Sequence, residues 1–184
     1  PYLLGVLVDT GHSDLAYKLL LNTDYPSWGY LVEHGATTMW ERWNGDQMRD
    51  DPSMNSYNHY AYGAVADWIY RYAAGIDALP SDPGFHAVYL HPNFDSRLGS
   101  LDVRYQSSYG EIQSAWTMNG ATVTWVVKVP PNATARLPVS ETAKHKFTLD
   151  GEDLASSKKV HLLSGPQKTF ELPAGTFSFR VTME

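Results

Sequence analysis

Cysteine is absent from the 184 residues, which excludes disulfides and thiolate metal sites. No apolar run reaches the roughly 18 residues that a membrane-spanning helix needs. No basic run occurs either, and with a formal net charge of −6 the chain offers no footprint for nucleic acid. Phenylalanine is missing from the first 84 residues; all six lie between Phe85 and Phe179, whereas nine of the twelve tyrosines precede Asp77. The two halves therefore differ in kind. The chain opens mid-pattern at Pro1 with YLLGVLVDTG, without a leader, and reads as a piece of a longer chain.

What is present falls into helices and then strands. Residues 2–8 form an apolar run stopped by Asp9-Thr10-Gly11, the tail of a helix. Ser13 is placed to cap the next helix, where Leu15, Ala16, Leu19 and Leu20 repeat at four-residue spacing and predict one buried face. Pro26 forces Tyr25 out of helix, and residues 28–32 predict a third short helix before Gly35. Asn55 and Ser56 are N-cap candidates for the longest predicted helix, 57–74, with a stripe through Ala61, Ala64, Val65, Trp68, Ile69 and Tyr72. Gly63 inside it costs about 1 kcal/mol relative to Ala. Its presence predicts the close approach of another backbone. Gly75 ends the helix.

After Pro80, Pro83 and Gly84 the hydrophobic period switches from 3.6 to 2. The clearest element is the hairpin EIQSAWTM-NG-ATVTWVVKV. A type I′ turn at Asn119-Gly120 would pair Met118 with Ala121, Trp116 with Val123, Ser114 with Trp125 and Ile112 with Val127. Further strands are predicted at 100–105, 135–139, 146–149, 159–163, 169–172 and 176–181. That number of short strands at this spacing makes an antiparallel β-sandwich. The predicted division is 1–76 helical and 77–184 β. The helical part is too small to bury its own stripes, so its faces are expected to be exposed and to mediate self-association.

Three of the six tryptophans fall within residues 25–59, and Glu41 sits inside Trp40-Glu41-Arg42-Trp43. Loops are normally built from small polar residues, so an aromatic loop carrying a carboxylate reads as a recognition surface. Indole faces suit the C–H side of a pyranose, and polar groups at their edges suit its hydroxyls. Against this stands the plain alternative, in which the indoles are core and Glu41 is a solvated charge. Arg42 and Asn58 are both candidates to orient Glu41. His12, His34, His86 and His91 have no ligand-like spacing, so neither a metal nor any other cofactor is expected.

In DTGHSDLAYKLLLNTDYPSWGYLVEHGATTMWERW and again in NSYNHYAYGAVADWIYRYAAGI the chain closely resembles bacterial α-L-rhamnosidases of the inverting type. The phrase VPPNATARLPV extends the likeness into the β half. The resemblance implies the last helices of an (α/α)6 barrel followed by a C-terminal β-sandwich. It implies that Glu41 is the general base, that His59 lines the rhamnose pocket, and that Trp40 and Trp43 either wall the site or pack the loop. Inversion needs two carboxyls roughly 6.5–9.5 Å apart, with water between base and sugar. Asp46, Asp50 and Asp51 lie in a hydrophilic, turn-like run and read as solvated, so the acid is expected outside this sequence and the chain alone is expected to be inactive. The implied partner is a rhamnosylated glycoside or oligosaccharide, with neither nucleic acid nor membrane, in a bacterial protein of the cytoplasm, periplasm or exterior. Rival readings are another (α/α)6-barrel glycosidase or phosphorylase, and a carbohydrate-binding or structural β-sandwich. The lectin reading requires an exposed aromatic platform, and Trp116 and Trp125 fall on the predicted core face of the hairpin.

Overall fold

The computed structural model describes residues 2–53, 56–139 and 145–183. Short helices come first and two β-sheets follow, and the chain divides into two compact units between Ile69 and Tyr70.

In the first unit α1 spans Leu3–Asp9, α2 Ser13–Leu20 and α3 Trp28–Glu33. Gly11 (φ 82°) and Gly35 (φ 75°) take the left-handed conformation that stops α1 and α3, as the sequence predicts. Ser13 is the first helical residue, and His12 occupies the cap position without a side-chain bond. Ser27 is the residue that caps with its side chain: its Oγ accepts from the Tyr30 N–H at 3.0 Å. The buried face of α2 is Ala16 and Tyr17, and Leu15 and Leu19 of the predicted face are exposed instead. Tyr17 packs edge-on against Trp68 with ring centroids 5.1 Å apart, and that pair is the centre of the helical core. Leu3, Val6 and Val32 are exposed together with Leu15 and Leu19, an unusual amount of aliphatic surface for so small a unit.

The predicted helix over 57–74 is broken. Residues 57 and 58 form a bend and His59 is extended, α4 covers only Tyr60–Gly63, α5 covers Val65–Trp68, and a π-helical turn follows over Ile69–Ala73. The physical reason lies at the start, where the backbone of 57–59 is engaged by residues 38 and 39 and so is unavailable for helix. The cap is His59, not Ser56; Asn55 lies outside the described residues. Trp68 and Tyr72 are buried as the stripe requires. Gly63 makes no close backbone approach, since a Cβ there would meet the Met39 side chain at an ordinary 3.8 Å.

The second unit is a sandwich-like pair of sheets. Its strands are β1 Ile76–Ala78, β2 Ala87–Leu90, β3 Ser100–Ser107, β4 Gly110–Asn119, β5 Thr122–Val129, β6 Thr134–Pro138, β7 His145–Leu149, β8 Glu152–Asp153, β9 His161–Leu163, β10 Thr169–Leu172 and β11 Gly175–Met183. One sheet runs β1-β2-β6-β10-β9 and the other β3-β4-β5-β11-β7-β8. All strand pairs are antiparallel except β2 with β6, a departure from the purely antiparallel expectation. The β4–β5 hairpin pairs Trp116 with Trp125, Met118 with Val123 and Ser114 with Val127, two residues away from the predicted register. The turn is Gly120-Ala121, with Gly120 at φ 57° in the first central position, as a type II′ turn requires. Because the slip is an even number, every side chain keeps its face. Ile112, Ser114, Trp116, Val123, Trp125 and Val127 are all buried.

Ser114 is a fully buried polar side chain in this core, and its hydroxyl explains why. It donates to the Ala74 carbonyl at 2.6 Å and accepts from the Trp125 indole at 2.9 Å. The Trp116 indole donates to the Ala73 carbonyl at 3.0 Å. These are carbonyls that a helix end leaves without intrahelical partners. Gly75, at φ 71°, then turns the chain into β1, and a Cβ on it would lie 2.1 Å from the Pro92 nitrogen. Ser114→Ala strands a buried indole N–H and a buried carbonyl, so unfolding of the β unit followed by tryptophan fluorescence should show a loss of about 2–6 kcal/mol, near 1–3 for each orphaned group. A loss below about 0.5 kcal/mol would mean that the hydroxyl does not satisfy them.

Candidate functional site

The loop between α3 and α4 is held shut by its own backbone. The Glu41 N–H donates to the Ser56 carbonyl at 3.0 Å, and the His59 N–H donates to the Met39 carbonyl at 2.7 Å. The Thr38 hydroxyl adds a third tie to the Tyr57 carbonyl. Residues 38–41 and 56–59 therefore run side by side in opposite directions. Glu41 and His59, eighteen positions apart in sequence, are brought onto neighbouring limbs, and both are half-buried. His59 also caps α4: its Nδ1 accepts the Ala61 N–H at 3.2 Å, and its ring lies nearly parallel to Tyr60, with centroids 5.3 Å apart.

The tryptophans flanking Glu41 differ in surroundings. Trp40 is buried over Gly45, where a Cβ would stand 2.7 Å from the indole. Tyr57 meets Trp40 edge-on at 6.0 Å and donates its hydroxyl to the Gly45 carbonyl at 2.9 Å. Trp43 is half-buried, stacked face to face on Tyr62 at 3.9 Å and met edge-on by Trp28 at 5.5 Å. The Trp28 indole donates to the Tyr62 carbonyl at 3.0 Å, which fixes this aromatic group to α4. Sequence reasoning named Trp40 and Trp43 but missed Trp28, Tyr57 and Tyr62 as their partners. The signal was the tyrosine spacing in Tyr57-Asn58-His59-Tyr60-Ala61-Tyr62, which reads equally well as helix.

Two acidic residues of the loop accept hydrogen bonds, Asp46 from α3 and Asp51 from within the loop. The Tyr30 hydroxyl donates toward Asp46 at 3.3 Å, and desolvation, followed by this carboxylate, holds the phenol above its usual range. Asp51 accepts the Ser53 N–H at 2.8 Å, and the bonds from Ser53 hold its carboxyl below the usual carboxylate range. Of the two candidates for orienting Glu41, Arg42 donates to the Ser53 carbonyl at 3.2 Å and so spans the loop, and the Asn58 N–H donates to Ser56 Oγ. A cleft of about 620 Å3 is lined by Asp46, Gln47, Arg49, Asp50, Asp51 and Pro52, and neither Glu41 nor His59 lines it. In the β unit Trp116 and Trp125 are 2% and 0% exposed, so that hairpin face presents no aromatic platform to a sugar.

Comparison with known proteins agrees over nearly the whole chain. The model of the bacterial alpha-L-rhamnosidase 6 hairpin glycosidase domain matches residues 1–73, and that of the bacterial alpha-L-rhamnosidase C-terminal domain matches residues 75–152. An alpha-L-rhamnosidase of Formosa agariphila is 37% identical over 98% of this chain and 20% of its own length. One of Streptomyces avermitilis is 42% identical over 74% of this chain and 13% of its own. Among solved structures, the Streptomyces avermitilis alpha-L-rhamnosidase complexed with L-rhamnose is similar at a TM-score of 0.74 and 34% identity, over 97% of this chain and 17% of that one. The alpha-L-rhamnosidase from Dictyoglumus thermophilum is similar at 0.78 and 27%, over 98% and 20%. The chain thus spans a fifth or less of the length of these relatives. With the two domain models abutting at residue 74 and the fold shared across both units, the chain belongs to the bacterial α-L-rhamnosidase family.

Proposed function

We propose that this chain forms part of a glycoside hydrolase that releases terminal α-L-rhamnose from a glycoside or oligosaccharide with inversion, and that Glu41 is its general base. The observation that carries the reading is the pinning of Glu41 by its own backbone bond to Ser56, beside the limb that bears His59. A general base has to be held within hydrogen-bond reach of its water, so the loop that carries it has to be rigid. Glu41 would take a proton from water as that water attacks the anomeric carbon, on the face opposite the leaving oxygen. His59 and Trp43 would meet the sugar, with Trp40 as the buried wall behind them.

The partner acid must be protonated when it acts, which calls for a carboxyl whose surroundings disfavour charge. Asp51 is in the opposite situation, since the donors on Ser53 favour its ionised form. We therefore assign the acid to residues outside this sequence and expect the chain alone to be inactive. Residues 1–76 would belong to the catalytic helical domain and 77–184 to a β-domain that stabilises it, with 70–76 already built into the β unit. The buried state of Trp116 and Trp125 weighs against a lectin role for that domain.

The decisive assay uses a full-length protein carrying this chain on an aryl α-L-rhamnoside. Glu41→Gln should lower kcat by about three orders of magnitude or more, which at 1.36 kcal/mol per decade is about 4 kcal/mol of barrier. The wild-type product should be the inverted anomer by NMR. Near-normal turnover in the variant would make Glu41 structural. A second expectation concerns the chain by itself: light scattering should show self-association through the exposed Leu3, Val6, Leu15, Leu19 and Val32, and a monodisperse monomer would contradict it.

A further inference from the structure

We infer that His59 positions Glu41 as well as binding the sugar, and that its two ring nitrogens divide these tasks: Nδ1 caps α4 and thereby holds the limb paired with Glu41, while Nε2 carries the ring proton and donates to a substrate hydroxyl. The inference rests on the reading of Glu41 as base and His59 as a pocket residue. It adds a polarity to the sugar contact and a positioning role to the histidine.

The tautomer follows from elementary chemistry. A backbone N–H can only donate, so the bond from the Ala61 N–H at 3.2 Å requires an unprotonated Nδ1. In the neutral ring the proton then resides on Nε2, and His59 meets a substrate as a donor. The choice of residue is itself informative. Helix caps favour Ser, Thr, Asp and Asn, whose short side chains reach the N–H groups of the first turn. Asparagine stands next door at Asn58, yet the cap is His59. An imidazole does what asparagine would do and carries a second polar atom to its far edge. A cap alone gives no reason for that extension, whereas a ligand does.

The positioning role follows from connectivity. Helix α4, Tyr60–Gly63, runs on through Ala64 into α5, and it is its entry at His59 that the cap fixes, where the first N–H groups have no partner within the helix. The cap residue is also a rung: the His59 N–H bonds to the Met39 carbonyl two residues before Glu41, and the Glu41 N–H bonds back to Ser56 three residues before His59. Losing the cap would release one limb of the pair and blur the place of the other. Displacement of a catalytic group by even 1 Å is enough to cost rate.

Two substitutions separate the tasks in a full-length protein assayed on an aryl α-L-rhamnoside. His59→Asn keeps a capping oxygen and loses the far donor, so kcat should stay within about twofold of wild type while KM rises about tenfold, the worth of one lost hydrogen bond. His59→Gln keeps a far amide donor and loses the favoured cap, so KM should hold while kcat falls about tenfold. Equal effects of the two variants, or effects confined to KM in both, would overturn the cap assignment and leave Glu41 as base. Normal turnover by Glu41→Gln would overturn both. The tautomer is read independently in the wild-type protein by imidazole 15N–1H correlation, with His59 assigned through the proximity of its ring to the Ala61 amide proton. A proton on Nε2 is expected, and a proton on Nδ1 would overturn the inference even if neither variant folds well enough to assay.

Discussion

The buried bonds around Ser114 carry the architecture of the β unit. A helix ending inside a sheet core presents carbonyls that no strand rung can satisfy, and an unpaired buried carbonyl costs as much as a lost hydrogen bond. Here the Ala73 and Ala74 carbonyls receive the Trp116 indole N–H and the Ser114 hydroxyl, and Ser114 in turn receives the Trp125 indole. One serine therefore acts as both donor and acceptor at a place where only a hydroxyl can do so. The two indoles are spent on structure, with Phe94 edge-on to both at 5.6 and 5.8 Å. That expenditure removes them from any binding surface, which is why the hairpin cannot serve as a sugar platform. Further ties bind the same segment: the Asn93 N–H donates to the Tyr72 carbonyl, and the His91 N–H to that of Gly75.

The helical unit meets the same demand by different means. Its loop contains few rungs of regular structure, so its order comes from three ties between residues 38–41 and 56–59 and from aromatic packing on either side of Glu41. Trp40 presses on Gly45, which has no side chain to resist, and Trp43 is stacked on Tyr62 and met edge-on by Trp28. In the proposed role, a carboxylate flanked by two packed indoles loses little further freedom on binding, the general advantage of a preorganised site.

Much of this was legible in the sequence, for identifiable reasons. Helix stops at Gly11, Gly35 and Gly75 were legible because positive φ is a local property. The buried set of the β4–β5 hairpin was legible because strand parity survives any even slip, although the register itself did not: Asn119-Gly120 is the stronger turn signal, but the chain turns at Gly120-Ala121. The helix over 57–74 misled because Tyr57, Asn58 and His59 have helical spacing, while the bonds that hold them out of helix come from residues about twenty positions away. Strand β2 was missed in part because its neighbour β6 runs parallel to it across a long connection, which leaves no hairpin signature. The tie of the Glu41 backbone to Ser56 and the stacking of Tyr62 on Trp43 were not legible, since nothing in the sequence states which residues fold back onto the Trp-Glu-Arg-Trp stretch.

The proposed inversion at two carboxylates constrains how such a site would be divided. Acid and base must differ in environment, one surrounded so as to stay protonated and the other so as to stay charged. Within the loop, hydrogen bonds from Ser53 hold Asp51 in the charged form, and Tyr30 donates toward Asp46, so both carboxylates act as acceptors. A proton donor assembled from the same short, water-facing segment would need the reverse surroundings, an apolar pocket or a second negative charge at close range. Asp46 and Asp51 instead face donors on Tyr30 and Ser53, the surroundings of a charged carboxylate. Under the proposed assignment of Glu41 as base, the acid belongs on a separate element, and the ties that hold residues 38–41 against 56–59 serve the base's side of the site.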